Sequence, residues 1–77
     1  MKSLEEFVKL FAEQFEETDP SVFKADTNFR ETDEWSSLIA LGVIAMVDEE
    51  FDVTLEGNDV RNSNTIEDIY KAVIAKL

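Results

Sequence analysis

Two adjacent serines, Ser36 and Ser37, are the side chains of this sequence whose position best suits chemistry. They precede Leu38 and lie in a charge-free stretch from Trp35 to Val47. A serine immediately before a helix is a favoured N-cap, a role we assign to Ser36. Ser37 then falls in the first turn, where free amides and the helix dipole favour an attached phosphate. Helix physics alone favours a simpler interpretation, in which both serines only cap the helix.

The composition excludes most catalytic chemistry. The 77 residues include no Cys and no His, so thiolate nucleophiles, disulfides, histidine bases and Ser-His-Asp sets are absent. Gly42 and Gly57 are isolated and make no Gly-rich phosphate loop. The acidic run from Asp48 to Asp52 lacks the ligand spacing of an EF-hand. We therefore expect a protein that is not an enzyme and holds no metal.

The charge is strongly negative. The formal net charge is −11, and the segment from Glu31 to Val60 contains nine acidic residues and no Lys or Arg. Such a field repels nucleic acid and anionic lipid and favours basic proteins as partners. The N-terminus lacks an apolar signal core, and the run from Leu38 to Val47 falls short of the roughly 20 residues that cross a bilayer. We expect a soluble, cytoplasmic monomer that binds neither nucleic acid nor membrane.

Apolar residues recur at helical spacing and predict an all-α bundle of three main helices and one short helix, a single domain over residues 1–77. The first helix is expected over about residues 4 to 16, with a capping box at Ser3 and Glu6. The second runs from Ser37 to Phe51, a short one lies near Val60, and the last starts at Asn64 or Thr65. The long intervening loop carries four apolar residues spaced like anchors over the core, namely Val22, Phe23, Phe29 and Trp35.

The helix from Ser37 to Phe51 is apolar on two sides. One side is the expected core face, made of Ala40, Val43, Ile44, Val47 and Phe51. Leu38, Gly42, Ala45 and Met46 are expected on the other side. A domain this small cannot enclose such a helix, so this second stripe is predicted to be a docking surface. In the alternative interpretation, Gly42 and Ala45 merely let the long loop pack closely.

The sequence resembles the acyl carrier protein family. The resemblance is carried by the run Asp33-Glu34-Trp35-Ser36-Ser37-Leu38, the apolar helix after it and the run Asp48-Glu49-Glu50-Phe51-Asp52-Val53, and it extends over essentially the whole chain. It implies that Ser37 is the attachment point of a covalent 4′-phosphopantetheine arm, whose thiol carries acyl groups as thioesters to enzymes of fatty-acid or related biosynthesis. The implied partners are a phosphopantetheinyl transferase and acyl-transferring and ketosynthase-type enzymes with basic docking patches.

The family pattern also suggests roles for other residues. The expected docking face comprises Leu38, Ile39, Met46, Asp48, Glu49 and Glu50. The expected lining of an acyl-chain cavity comprises Phe29, Val43, Ile44, Val47, Val60 and Ile69. Ser36 departs from the Asp usual in the family, and Ile39 and Gly42 occupy positions that are often acidic, which points to a specialised partner set. An aminoacyl or peptidyl carrier, or an unmodified acidic helical adaptor, remains an alternative.

Overall fold

A computed structural model describes residues 2–77. Within these residues it contains four helices and no strand: α1 (Leu4–Ala12), α2 (Ser37–Phe51), α3 (Gly57–Arg61) and α4 (Ile66–Ala75). Helix α1 packs against α4 and α2, and α3 packs against α4. Two short 3₁₀ turns, Pro20–Val22 and Phe29–Glu31, interrupt the long loop between α1 and α2. The prediction of a small all-α bundle with three main helices and one short helix is confirmed.

Side-chain caps fix where two of the main helices begin. The Ser3 amide donates to the Glu6 carboxylate, and the Glu6 amide donates to the Ser3 hydroxyl, both at 3.2 Å. Thr65 and Asp68 form the same reciprocal pair at the start of α4. Each carboxylate accepts backbone amides, which holds the pKa of Glu6 and of Asp68 below its usual value. The sequence-based choice between Asn64 and Thr65 is thereby settled in favour of Thr65.

Helix α1 is shorter than expected, because it ends at Ala12 and not near residue 16. The amides of Gln14 and Phe15 turn back to the carbonyls of Phe11 and Ala12, each at 3.1 Å, which tightens the last turn. Phe15 is still buried. The apolar spacing therefore continues for one turn beyond the regular α-helical backbone.

The carboxylate of Glu34 holds the backbone that follows α1. It accepts the amides of Glu16 at 2.7 Å, Glu17 at 3.1 Å and Thr18 at 3.0 Å, and also the Thr18 hydroxyl at 2.8 Å. Burial of the carboxylate raises the pKa of Glu34, but these hydrogen bonds together outweigh it, so the pKa lies below its usual value. Glu34 thus fixes three successive backbone amides in the segment that follows α1.

Arg30 binds backbone carbonyl groups, as Glu34 binds backbone amides. Its guanidinium donates to the carbonyls of Ser63 and Val60, both at 2.8 Å, and to that of Arg61. It also lies 5.8 Å from the centre of the Phe29 ring. Carbonyls at a helix C-terminus lack intrahelical partners, so Arg30 both caps α3 and ties it to the long loop.

Aromatic packing anchors the same loop on α1. Phe29 lies 5.5 Å from Phe11 and 4.5 Å from Trp35, measured between ring centres, and Phe23 lies 4.7 Å from Phe15. Such pairs contribute about 0.5–1.5 kcal/mol each beyond simple burial. Phe23 and Phe29 are buried and Trp35 is half-buried, but the expectation for Val22 is wrong, since 54% of that residue is exposed.

Helix α2 turns a different face to the core than the sequence suggested, since Ala40 and Ile44 of the expected core face are only half-buried. Val43, Met46, Val47 and Phe51 are all buried, and only 6% of Met46 is exposed. Met46 follows Val43 by three positions and precedes Val47, so all three lie on adjacent parts of one helical face. The prediction that Met46 belongs to an exposed docking face is therefore wrong.

We expect Met46→Ala to lower the free energy of unfolding by about 2–5 kcal/mol, because truncation of a buried Met leaves a cavity. Leu38→Ala is the matched control on the same helix, where 77% of the residue is exposed. Its effect should stay within about 0.5 kcal/mol. Urea denaturation followed by circular dichroism measures both. Equal losses in the two variants would contradict the assignment of Met46 to the core.

We expect Glu34→Gln to lower the melting temperature relative to Asp33→Asn, which removes the same charge from an exposed neighbour. Because the folded pKa of Glu34 lies below its unfolded value of about 4.5, its contribution is present above pH 4.5. It disappears as the pH falls through the folded pKa. The difference between the two variants should therefore be present at pH 7 and vanish in acid. A difference that persists unchanged at pH 2 would contradict this account.

Candidate functional site

Ser36 is the N-cap of α2. Its backbone is extended, with φ −158° and ψ 172°, and its hydroxyl accepts the Ile39 amide at 3.3 Å. Its carbonyl accepts the amide of Ala40 at 3.0 Å, which starts the helical ladder. The cap role expected from the sequence is thus seen directly. Because the Ser36 hydroxyl already accepts a backbone amide, it is less available for modification than the Ser37 hydroxyl.

Ser37 occupies the first position of α2 and is exposed. Within residues 2–77 its hydroxyl makes no hydrogen bond, and the amides of Ser37 and Leu38 have no partner. No acidic residue lies in the first turn of α2. Unpaired amides at the positive end of a helix favour an anionic group, so a phosphate attached to Ser37 would be well accommodated.

A groove beside Ser37 separates α2 from α3. This α2–α3 groove has a volume of about 380 Å³, with Trp35, Ser36, Ser37, Ala40, Leu41 and Ile44 on one side and Arg30, Gly57, Val60 and Arg61 on the other. Ala40, Leu41, Ile44 and Val60 contribute aliphatic side chains to its lining. A flexible chain attached to Ser37 therefore has an apolar surface beside its point of attachment.

The residues predicted to line an acyl cavity fall into two groups. Ile44 and Val60 line the α2–α3 groove. Phe29, Val43, Val47 and Ile69 are buried in the core and are not among the residues that line this groove. Entry of a chain among these four would require the core to open, so their role in holding cargo stays a prediction.

The residues predicted to form the docking face differ in how exposed they are. Leu38, Asp48 and Glu49 are exposed, whereas Ile39 is only half-buried. Glu50 lies 3.5 Å from Lys2 in an ion pair. Together with the buried Met46, this leaves a narrower candidate surface than the sequence suggested.

Leu41 is a residue that the sequence reasoning missed. It follows Leu38 by one helical turn, and 62% of it is exposed. Ala45, a further turn along, is exposed as well. We call Leu38, Leu41, Ala45 and Asp48 the exposed stripe of α2. The spacing of Leu38, Leu41 and Ala45 at i, i+3 and i+7 could have identified this stripe from the sequence.

Two arginines also escaped the sequence reasoning. Arg30 and Arg61 both line the α2–α3 groove, and none of the residues that line it is acidic. Nothing in their spacing along the chain marks them, because they lie 31 residues apart and meet only in the folded protein.

Other site types have no support in the part of the chain that is described. Residues 2–77 contain no group of three or more His, Cys, Asp or Glu side chains placed so that they could hold a metal ion. No helix among them has the length and apolar character needed to cross a membrane.

Comparison with known proteins gives a match that extends over most of the chain. A family model described as a phosphopantetheine attachment site matches residues 5–73. No curated protein matches the sequence. The matched range includes all of α2 and α3 and most of α1 and α4.

Proposed function

Because the family model matches residues 5–73, this chain belongs to the family of phosphopantetheine-binding carrier domains, and we propose that Ser37 carries the prosthetic group. Domains of this family take 4′-phosphopantetheine covalently and are generally not catalytic themselves. The observation that carries the proposal is the exposed Ser37 hydroxyl at the start of α2, beside unpaired amides and the α2–α3 groove. Ser36 is the rival, and its hydroxyl is occupied as the helix cap.

The surroundings of Ser37 fit such a group. The unpaired amides suit the phosphate, and the aliphatic groove wall of Ala40, Leu41 and Ile44 suits the methylene-rich part of an arm or its cargo. The bound group supplies a thiol that holds cargo as a thioester. The protein's own residues position and expose the attachment point. With no Cys in the chain, no competing thiol is present.

The cargo class that we propose is an acyl group of fatty-acid or related biosynthesis. The apolar lining of the groove by Leu41, Ile44 and Val60 supports this choice over a polar aminoacyl cargo. The partners would be a phosphopantetheinyl transferase and enzymes that handle acyl groups. Their docking surface would be the exposed stripe of α2 and the adjacent Glu49, with Asp48 and Glu49 steering basic patches and Leu38 and Leu41 providing apolar contact.

We expect Ser37→Ala to abolish the gain in mass on incubation with coenzyme A and a phosphopantetheinyl transferase. Ser36→Ala should still be modified, although it should lose about 1 kcal/mol of stability because it removes the cap. Intact-mass spectrometry and peptide mapping measure both outcomes. Modification that survives in Ser37→Ala but not in Ser36→Ala would move the attachment point to Ser36.

We expect Leu38→Glu to slow the transfer of the prosthetic group by roughly tenfold or more, because a buried apolar anchor at an interface is typically worth about 2 kcal/mol. The fold should persist, since an acid is favourable in the first turn of a helix. Leu77→Glu is the matched control, with 60% of Leu77 exposed and its position outside α2 and outside the α2–α3 groove. Transfer rates measured at low protein concentration should separate the two variants. Equal rates would exclude the exposed stripe as the docking surface.

A further inference from the structure

The side of the α2–α3 groove that faces Ser37 is positively charged, in contrast to the rest of the protein. The chain has a net charge of −11 with only seven Lys and Arg residues. Two of the seven, Arg30 and Arg61, line this groove together with Ser37, and no acidic residue lines it. Both guanidinium groups reach it from outside α2, one from the long loop and one from α3.

The two arginines differ in how freely they can bind a ligand. The guanidinium of Arg30 is committed to three backbone carbonyls around the end of α3. Arg61 is exposed, and its one side-chain hydrogen bond is to the amide oxygen of Asn58. Arg30 is therefore a fixed structural charge, whereas Arg61 has donors to spare for an incoming anion.

Among residues 2–77, no carboxylate forms an ion pair with Arg61. The ion pairs within residues 2–77 join Lys2 to Glu50 and Lys76 to Asp59. Asp59, the acidic residue of α3, accepts the Glu56 amide at 2.9 Å and lies 3.3 Å from the Lys76 ammonium. The pKa of Asp59 is correspondingly lowered, first by the hydrogen bond from Glu56. The negative charge nearest to Arg61 in sequence is thus occupied elsewhere.

We propose that Arg61 binds the phosphodiester of the arm attached to Ser37 and so draws the arm toward the α2–α3 groove. This inference rests on the proposed attachment at Ser37. A planar guanidinium presents paired donors that match two oxygens of one phosphate, which an ammonium group cannot do. Arg30 adds a second positive charge on the same wall. Arg61 is in this sense a positioning residue for the arm.

The proposal predicts a thermodynamic coupling between Arg61 and the modification. A new negative charge on a protein of net charge −11 should lower its stability by repulsion. Arg61 should offset that loss. The change in melting temperature on modification should therefore be more unfavourable in Arg61→Gln than in the wild type, by about 1–5 °C for a surface charge pair in a domain of this size.

The experiment compares unmodified and modified forms of three proteins: the wild type, Arg61→Gln and Lys24→Gln. The control removes the same charge from an exposed position that does not line the groove. Any loss of the Asn58 contact is present in both forms of Arg61→Gln and cancels in the comparison. We expect coupling for Arg61 only, with a matching change in the ³¹P resonance of the phosphodiester and partial rescue by Arg61→Lys.

Each other outcome has a distinct meaning. Equal temperature shifts in all three proteins and an unchanged ³¹P resonance in Arg61→Gln would overturn the role of Arg61. Coupling could instead appear only when the arm carries malonyl, and not with the free thiol or with acetyl. That result would overturn the assignment of the phosphodiester as the ligand of Arg61 and would favour a carboxylate on the cargo. Intact mass is recorded first. Absence of modification at Ser37 would refute the attachment site itself, and the inference with it.

Discussion

The long segment between α1 and α2 must be held without a regular ladder of backbone hydrogen bonds. It spans residues 13–36, and the charged side chains of Glu34 and Arg30 help to hold it in place. Glu34 accepts backbone amides where α1 ends, and Arg30 donates to carbonyls where α3 ends. Glu34 thereby gives partners to backbone amides of the loop itself, whereas Arg30 gives partners to carbonyls at the end of α3 and joins that helix to the loop.

The same loop also reaches the start of α4. The amide of Ile66 donates to the Thr27 carbonyl at 3.3 Å, and that of Glu67 donates to the Ala25 carbonyl at 2.9 Å. These amides lie in the first turn of a helix, where they have no intrahelical acceptor. The loop is thus fastened to α1, α3 and α4 before it delivers Ser37 at the start of α2. A fixed framework of this kind lets one exposed hydroxyl be presented in a constant position.

Charge is distributed unevenly around that hydroxyl. The exposed stripe of α2 ends at Asp48, and a negative charge there suits basic partner surfaces. The α2–α3 groove on the neighbouring side of the helix is lined by two arginines and no acid. Under the proposed function, the stripe would face partner proteins and the groove would hold the phosphodiester of the arm.

The sequence by itself determined the helical class, the caps at Ser3 and Ser36, and the extent of α2, because these depend on local spacing and short-range hydrogen bonds. Tertiary structure decided which side of α2 faces inward. Since α2 is apolar on nearly every side, its periodicity could not distinguish the buried Met46 from the exposed Leu41. The end of α1 at Ala12 reflects a tightened last turn, which the apolar spacing does not record because Phe15 stays buried. Long-range contacts decided that Arg30 and Arg61 meet beside Ser37, because no local pattern encodes a contact between distant segments.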